Sequence, residues 1–392
     1  MTSRVLLSLA ALSVLGALAL PSRLAAQGRP LPEYTMTDLG TLGGSFSIAY
    51  GAPSPAGHVG GAANLRGGNQ HPFLWQNGAM TDLGTLGGPN GSAAGPNTSD
   101  ELAVIAETAT RDPLGENFCG FGAGKICRGA IWQGGALRPL PTLGGTNGEA
   151  FALNAGGQLA GVAETSTRDR SCLRPQALAY EATLWEPRSG ESHRLPPLPG
   201  DTVGFALALN DRGDAVGSSG SCATTVLVPV EYGPHAVLWA HGSPRNLGSL
   251  GGQLFSTAAV VNNQGEVVGG SDLSHDTGPC SPSCHSFLWT KRTGMQDLGT
   301  LPGDVASLAG WINNRGQVVG WSCAANPLTS PPSRCRAYLW HDTVMTDLNS
   351  LIAPHPPLKL LQAFGINDGG QIVGLGQTRA GALHAFLATP AA

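Results

Sequence analysis

The sequence predicts an all-β fold: a seven-bladed β-propeller of four-stranded blades, closed by an N-terminal strand that pairs with three C-terminal strands. Three observations point to it. Gly and Pro number 57 and 29 of 392 residues while only 12% are charged, a composition of many tight turns and few helices. A short apolar run ending in Trp recurs at Trp75, Trp132, Trp185, Trp239, Trp289 and Trp340. It recurs a last time with Ala388 in the Trp place, at intervals of 48 to 57 residues throughout, which suits four short strands and their turns. The chain ends are also complementary: one strand-like stretch, YTMTDLG from Tyr34, precedes the first full repeat, and three, AFGIN, QIVGLG and HAFLA, follow the last. Pairing them leaves no unpaired edge. A β-solenoid is the alternative, and it gives no reason for that complementarity.

The repeat reads strand by strand. In NNRGQVVG from Asn313, with counterparts at Asn154, Asn210, Asn262 and Asn367, the Asn opens a turn and the Gly at its fourth position is free to take positive φ. Strands A and B flank this turn. The stretches near Pro53 and Asn97 lack the pattern. The Trp-ended run is strand C, and Gly78 to Gly84 alternates apolar and polar residues as strand D. DLGTLGG, intact from Asp38 and Asp82 and altered before Gly145, Gly252 and Gly303, then leads into the next repeat. Alternating strand directions put the A to B and C to D turns on one face, and the B to C loops and D to A crossings on the other. The second face carries nearly all the length variation and every Cys, which makes it the better candidate for a functional surface.

Arg4, the apolar run from Val5 to Leu20 and the small residues up to Ala26 read as a secretory signal, 1–26. A short segment, 27–33, the repeats over 34–388 and a tail, 389–392, complete the expected organisation. A retained anchor is the alternative, but such a run is short for crossing a bilayer. The expected destination is extracellular, or the cell envelope or periplasm. Eight Cys in an exported chain point to disulfides. Shared loops pair Cys119 with Cys127, Cys280 with Cys284 and Cys323 with Cys335; Cys172 and Cys222, left over, could join neighbouring repeats. Zinc at CSPSCH, with His285, competes for the close pair, but no second ligand pair accompanies it. A net charge of -4 offers no basic surface for nucleic acid or anionic lipid. No second apolar run reaches spanning length, so no membrane span is expected after signal cleavage, and the expected state is a monomer.

The strings HAFLA, DLGTLGG and INDGGQIVG together resemble the repeat of the bacterial extracellular HAF family, named for the His-Ala-Phe found here as His384, Ala385 and Phe386. The resemblance covers essentially the whole chain after the signal segment and departs at 97–106 and 195–201. It implies secretion and a repeat scaffold, and brings no activity and no catalytic residues.

A catalytic site should break the repeat, and the recurring polar residues do not. Asp38, Asp82, Asp297 and Asp347 share one strand D position, His71, His285 and His384 open strand C, and the turn Asn residues recur; all read as scaffold. Symmetry is broken where ETATRD from Glu107 is echoed as ETSTRD from Glu164. This sets Glu107, Arg111 and Asp112 beside Glu164, Arg168 and Asp169 in adjacent loops, as a polar ligand patch or a site for a structural cation. A duplicated solvated loop is the plainer alternative. Asp201 and Asp304, just past the crossings, could reach the same face. Trp311 and Trp321 flank a repeat turn, where core packing is expected and stacking on a sugar ring is the alternative. No GxSxG, HExxH, phosphate loop or dinucleotide fingerprint occurs, and no cofactor is implied. The expected function is a secreted binding or adhesion module recognising a glycan, peptide or partner protein through the loop face. The alternatives are a polysaccharide hydrolase or lyase drawing its acids from Glu107, Glu164, Asp201 and Asp304, and a purely structural envelope protein.

Overall fold

The structure, a computed structural model, describes residues 31–227 and 231–391; the expected signal segment, 1–26, and most of 27–33 lie outside the described residues. The described residues form 28 strands and two short 3-10 helices. The strands fall into seven antiparallel sets of four, each running A, B, C, D as the repeat predicts. The sixth set is typical: Ala306–Ile312, Val318–Cys323, Cys335–His341 and Val344–Asp347. In the last set, Leu358–Ile366, Ile372–Thr378 and Leu383–Pro390 take their fourth strand from the other end of the chain, Tyr34–Asp38. The register runs from Tyr34 opposite Pro390 to Asp38 opposite Phe386. Because Thr389 and Pro390 pair with Thr35 and Tyr34, the final strand extends two residues into the expected tail. The fold is a β-propeller. Antiparallel meanders replace the parallel stacking that a solenoid would require.

The recurrent turn forms for local reasons. Asn313 Oδ1 accepts the N–H groups of Arg315 and Gln317, both at 3.0 Å, and Gly316 adopts φ +73°. The last glycine of the motif serves packing instead. A Cβ on Gly320 would lie 2.1 Å from the Leu308 carbonyl oxygen and 2.7 Å from the Tyr338 hydroxyl, so only glycine lets strand A bulge beside the strand C aromatic. Two stretches without the motif make the same turn. Asn97 Oδ1 accepts from Ser99 and Glu101 at 2.9 and 3.0 Å, with Asp100 in the glycine place at φ 58°. In the first set Ser54 replaces the Asn, and its hydroxyl accepts from the His58 N–H at 3.2 Å.

Each turn Asn also reaches the neighbouring set. Its Nδ2 donates to the backbone carbonyl of the next turn: Asn97 to Asn154, Asn154 to Asn210, Asn210 to Asn262, Asn262 to Asn313, Asn313 to Asn367 and Asn367 to Ser54, at 3.0 to 3.4 Å. The residue after the Asn adds a second course. The N–H groups of Ala155, Asp211, Asn263 and Asn314 donate in turn to the side chains of Asp211, Asn263, Asn314 and Asp368. Between strands C and D, His71, His285 and His384 pair with Asp82, Asp297 and Asp38 at 2.8 to 3.0 Å. Each of these carboxylates also accepts the N–H of the glycine two residues on. The sixth set uses Arg336 with Asp347, and the third reverses the charges, with Glu181 in the His place facing Arg194 at 2.9 Å. These recurring polar residues therefore have structural partners.

Trp185 and Trp239 are wholly buried, and their indole N–H groups donate to the carbonyls of Pro141 and Pro196 at 2.9 and 2.7 Å. All eight Cys are paired as the loops suggested, and the fourth bond, Cys172 to Cys222, joins the third set to the fourth. Each disulfide involves a B to C loop. Among the described residues no helix is long and apolar enough to cross a membrane.

Two outcomes are expected in urea unfolding. Asn313→Ala loses four side-chain hydrogen bonds, two within its turn as acceptor and two as donor. At about 0.5–1.5 kcal/mol each, it should lose ~2–6 kcal/mol, and more than Asn314→Ala. Loop closure makes the disulfides unequal: replacing Cys172 and Cys222, 50 residues apart, by Ala should cost up to about 4 kcal/mol. The same change at Cys280 and Cys284, only 4 apart, should cost about 2 kcal/mol.

Candidate functional site

The strands carrying the duplicated tract, Leu102–Arg111 and Leu159–Arg168, lead into loops whose acids are held by neighbouring groups. Glu164 is fully buried; it accepts the N–H of Asn147 at 2.9 Å and the Gln176 amide at 3.0 Å. Glu107 makes the matching contact one set earlier, with Asn90 at 2.9 Å. Asp112 orders its own loop through the N–H groups of Leu114 and Glu116, then crosses to the next set through the Asn147 amide at 2.9 Å. Asp169 makes the equivalent crossing to the Thr202 hydroxyl at 2.6 Å.

The structure thus brings Asp112 and Glu164 together around Asn147. Sequence reasoning missed the third acid there: Glu116 accepts the N–H groups of Ala177 and Leu178 at 2.7 and 3.0 Å. Burial, and then the Glu164 carboxylate, push its carboxyl up to about 7. With its acceptors met by amide donors, the cluster acts as a clasp between the second and third sets. Arg111 and Arg168 are exposed at the ends of their strands and are not drawn into it. Asp201 accepts from His235 at 2.9 Å, and Asp304 pairs with Arg336 at 2.9 Å. Of the eight expected residues, the six acids therefore occupy several separate ties rather than one pocket, and the two arginines stand apart from them. Among the described residues, three potential metal-ligand atoms meet at Asp169, Cys172 and Cys222, where both sulfurs belong to a disulfide.

A different feature lies on the loop face. A cavity of about 640 Å³ is lined by the first strand of every set, or by residues just past it, so it sits between all seven. Tyr50, Phe151, Phe255, Trp311, Trp321 and Phe364 supply aromatic wall. Phe364 touches two of these rings, with centroids 5.4 Å from Tyr50 and 4.9 Å from Trp321. Disulfide-held loops cover the rim. Phe121 lies between Cys119 and Cys127, Leu227 follows Cys222, and Leu328 lies between Cys323 and Cys335 and packs against the apolar cluster that holds Cys280 and Cys284.

Two carboxyls line this cavity, and no Lys, Arg or His does among the described residues. Glu149, on strand A of the third set, is 2% exposed and its Oε1 has no hydrogen-bond partner. Burial, reinforced by the Glu231 charge, lifts it well above the usual carboxylate range. Glu231, in the fourth B to C loop, is partly covered and lines the cavity; its low-dielectric surroundings raise it to about 7. The Trp321 indole N–H is likewise buried without a partner. Sequence reasoning missed both acids. One signal was present: Glu149 is the one acidic residue in any strand A among the described residues, a break in the repeat of the kind a site requires.

No protein-family model matches the chain. No curated protein matches it either. Solved structures are similar only in broad course. Oligogalacturonate lyase from Vibrio parahaemolyticus is 10% identical, with a TM-score of 0.46 and 90% of this chain and 93% of that one covered. A puromycin-hydrolyzing peptidase of Mycobacterium tuberculosis is 11% identical, with a TM-score of 0.47, covering 91% of this chain and 53% of that one. A gluconolactonase from Xanthomonas campestris is 8% identical, with a TM-score of 0.36, covering 93% and 99%. Likeness at this level says nothing about what this chain binds or turns over.

The cavity acids should leave a signature in stability. A carboxyl raised in the folded state holds its proton there longer than in the unfolded chain, so stability falls as pH rises from about 4.3, the unfolded value. The loss is complete above the folded value of about 7. Glu231→Gln should therefore raise the Tm at pH 8 and leave it nearly unchanged at pH 4. Equal shifts at both pH values would show that the carboxyl is not desolvated.

Proposed function

We propose that this protein is an exported binding scaffold that takes its ligand in the cavity of the loop face. The observation that carries this reading is the cavity: about 640 Å³, aromatic in much of its wall, with two acids among its lining groups. Ligand sites typically enclose about 300–1,000 Å³ of largely apolar wall with a few converging polar groups. Such a volume suits a small molecule, or the terminal unit of a glycan or peptide, better than the flat surface of a partner protein. A purely structural role would leave the Glu149 oxygen and the Trp321 N–H uncompensated for no return.

The wider expectations fit this reading. We take the seven sets to be seven blades of one closed ring, supported by the Asn links from set to set and by the pairing of Tyr34–Asp38 with the C-terminal strand. Four disulfides with no free Cys among the described residues support export to an oxidising compartment. Membership of the HAF-repeat group and a monomeric state complete the proposal.

A second reading, hydrolysis of a polysaccharide, is favoured by one observation. Paired carboxyls in an apolar cavity are the equipment of acid and base catalysis on glycosides. The acids concerned are Glu149 and Glu231; Glu107, Glu164, Asp201 and Asp304 are held in ties to neighbouring groups.

Both readings are tested together on glycan and peptide arrays and a panel of 4-nitrophenyl glycosides. The parent should bind members of one array. Ala259→Trp, which fills the cavity from its wall, should weaken that binding at least tenfold with the Tm preserved. Turnover abolished by Glu149→Gln would select the hydrolytic reading. Array binding indifferent to Ala259→Trp would remove the cavity from the account.

A further inference from the structure

We propose that the cavity selects organic cations: ligands with an ammonium group on a flat or apolar body, the charge held by Glu149 and Glu231 and the body by Tyr50, Phe364 and Trp321. The inference rests on the cavity being the binding site and adds the chemical class of the ligand.

The first argument is charge. The lining residues include two carboxyls and, among the described residues, no basic group that could offset them. An anionic ligand would find no cation among the lining residues, and like charge wherever a carboxyl is ionised. A neutral one would leave at least part of the carboxyl pair without a counter-ion. An ammonium supplies the partner that Glu149 Oε1 lacks, in surroundings where opposite charges attract far more strongly than in water. The second argument is the wall. Tyr50, Phe364 and Trp321 form a contiguous run of rings, with centroid separations of 5.4 and 4.9 Å. Aromatic faces draw cations by their quadrupole and accept flat apolar bodies by contact.

Both acids are held in place before any ligand arrives. Glu149 stands on strand Gly144–Leu153, whose Glu149 pairs with Val162. Glu231 adjoins Tyr232, which exchanges backbone hydrogen bonds with Val226 at 2.8 and 2.9 Å. The other titratable groups beside the pair are Tyr50, near Glu231, and Tyr180, near Glu149. Burial keeps both phenols protonated, and Tyr180 donates to the Thr225 carbonyl at 2.8 Å. Among the described residues no group beside the carboxyls therefore takes the place of a cation. A bound ammonium favours their ionised forms, so binding expels protons, and affinity rises with pH through the range in which Glu231 ionises, about 7.

Isothermal titration of the intact protein with 2-phenylethylamine and 2-phenylethanol, near-isosteres that differ in charge, tests this at pH 5.5 and pH 8. At pH 8 the amine should bind at least about tenfold more tightly than the alcohol. Its affinity should fall at pH 5.5, and its heat should differ between phosphate and Tris in the sense of proton release. Glu149→Gln and Glu231→Gln should each weaken the amine about tenfold and leave the alcohol unchanged, with thermal melts confirming folded variants. Equal or tighter binding of the alcohol, or tight glycan or peptide binding on the arrays with no response to the amine, overturns the cation inference and leaves the cavity reading standing. Silence with both probes and on both arrays overturns the two together.

Discussion

The fold depends on a side-chain amide that serves two sets of strands at once. In each recurrent turn the Asn oxygen closes its own hairpin, while its amide nitrogen donates to the backbone of the next one, as Asn313 does with Gln317 and Asn367. A backbone carbonyl accepts equally well whatever its side chain, so Ser54 can terminate the series where no Asn stands. The links fix the distance between neighbouring first strands, and those strands are the walls of the cavity. Where the links stand, the spacing of those strands at the turn face follows a bond length repeated from set to set.

The two faces are held by different chemistry. The face of short turns is laced by hydrogen bonds between near-identical groups, and a second, smaller cavity there is lined by those same turns. The opposite face is made of loops that share little sequence beyond the tracts at Glu107 and Glu164, so no contact repeated in every set orders them. Covalent bonds take over: every disulfide falls there, and the acid clasp around Asn147 ties two of the loops without one. Ordering of this kind holds a binding rim in shape before a ligand arrives, which reduces the entropy lost on binding.

The scaffold was legible because its devices repeat. The turn Asn, the His and Asp of strands C and D, and the Cys pairs each announce themselves by position, and the structure gives each a partner. The turns at Ser54 and Asn97 were hidden because another residue, Ser for Asn or Asp100 for Gly, can do the same work at a modest conformational cost. The site was harder for a more basic reason. Glu149 and Glu231 are 82 residues apart in sequence and come together only because residues of different sets line one cavity. The tract that looked most like a site, Glu107 to Asp112 and its echo, breaks the symmetry of the sequence but repeats in space, with Asn90 and Asn147 as matching partners.

The reversed pair in the third set bears on how a chain of similar repeats assigns its strands. Strands C of 6 to 9 residues and strands D of 4 to 6 share nearly the same apolar pattern from repeat to repeat, so mispairing during folding is a standing hazard. The fourth strand of the third set carries Arg194 where the others carry Asp, Asn or Pro. Laid against a strand C that carries Arg128 or Arg336 in that place it meets like charge; laid against Glu181 it meets its complement. Polarity at one position thus favours the native partner over others of like pattern, in the third of the seven sets along the chain.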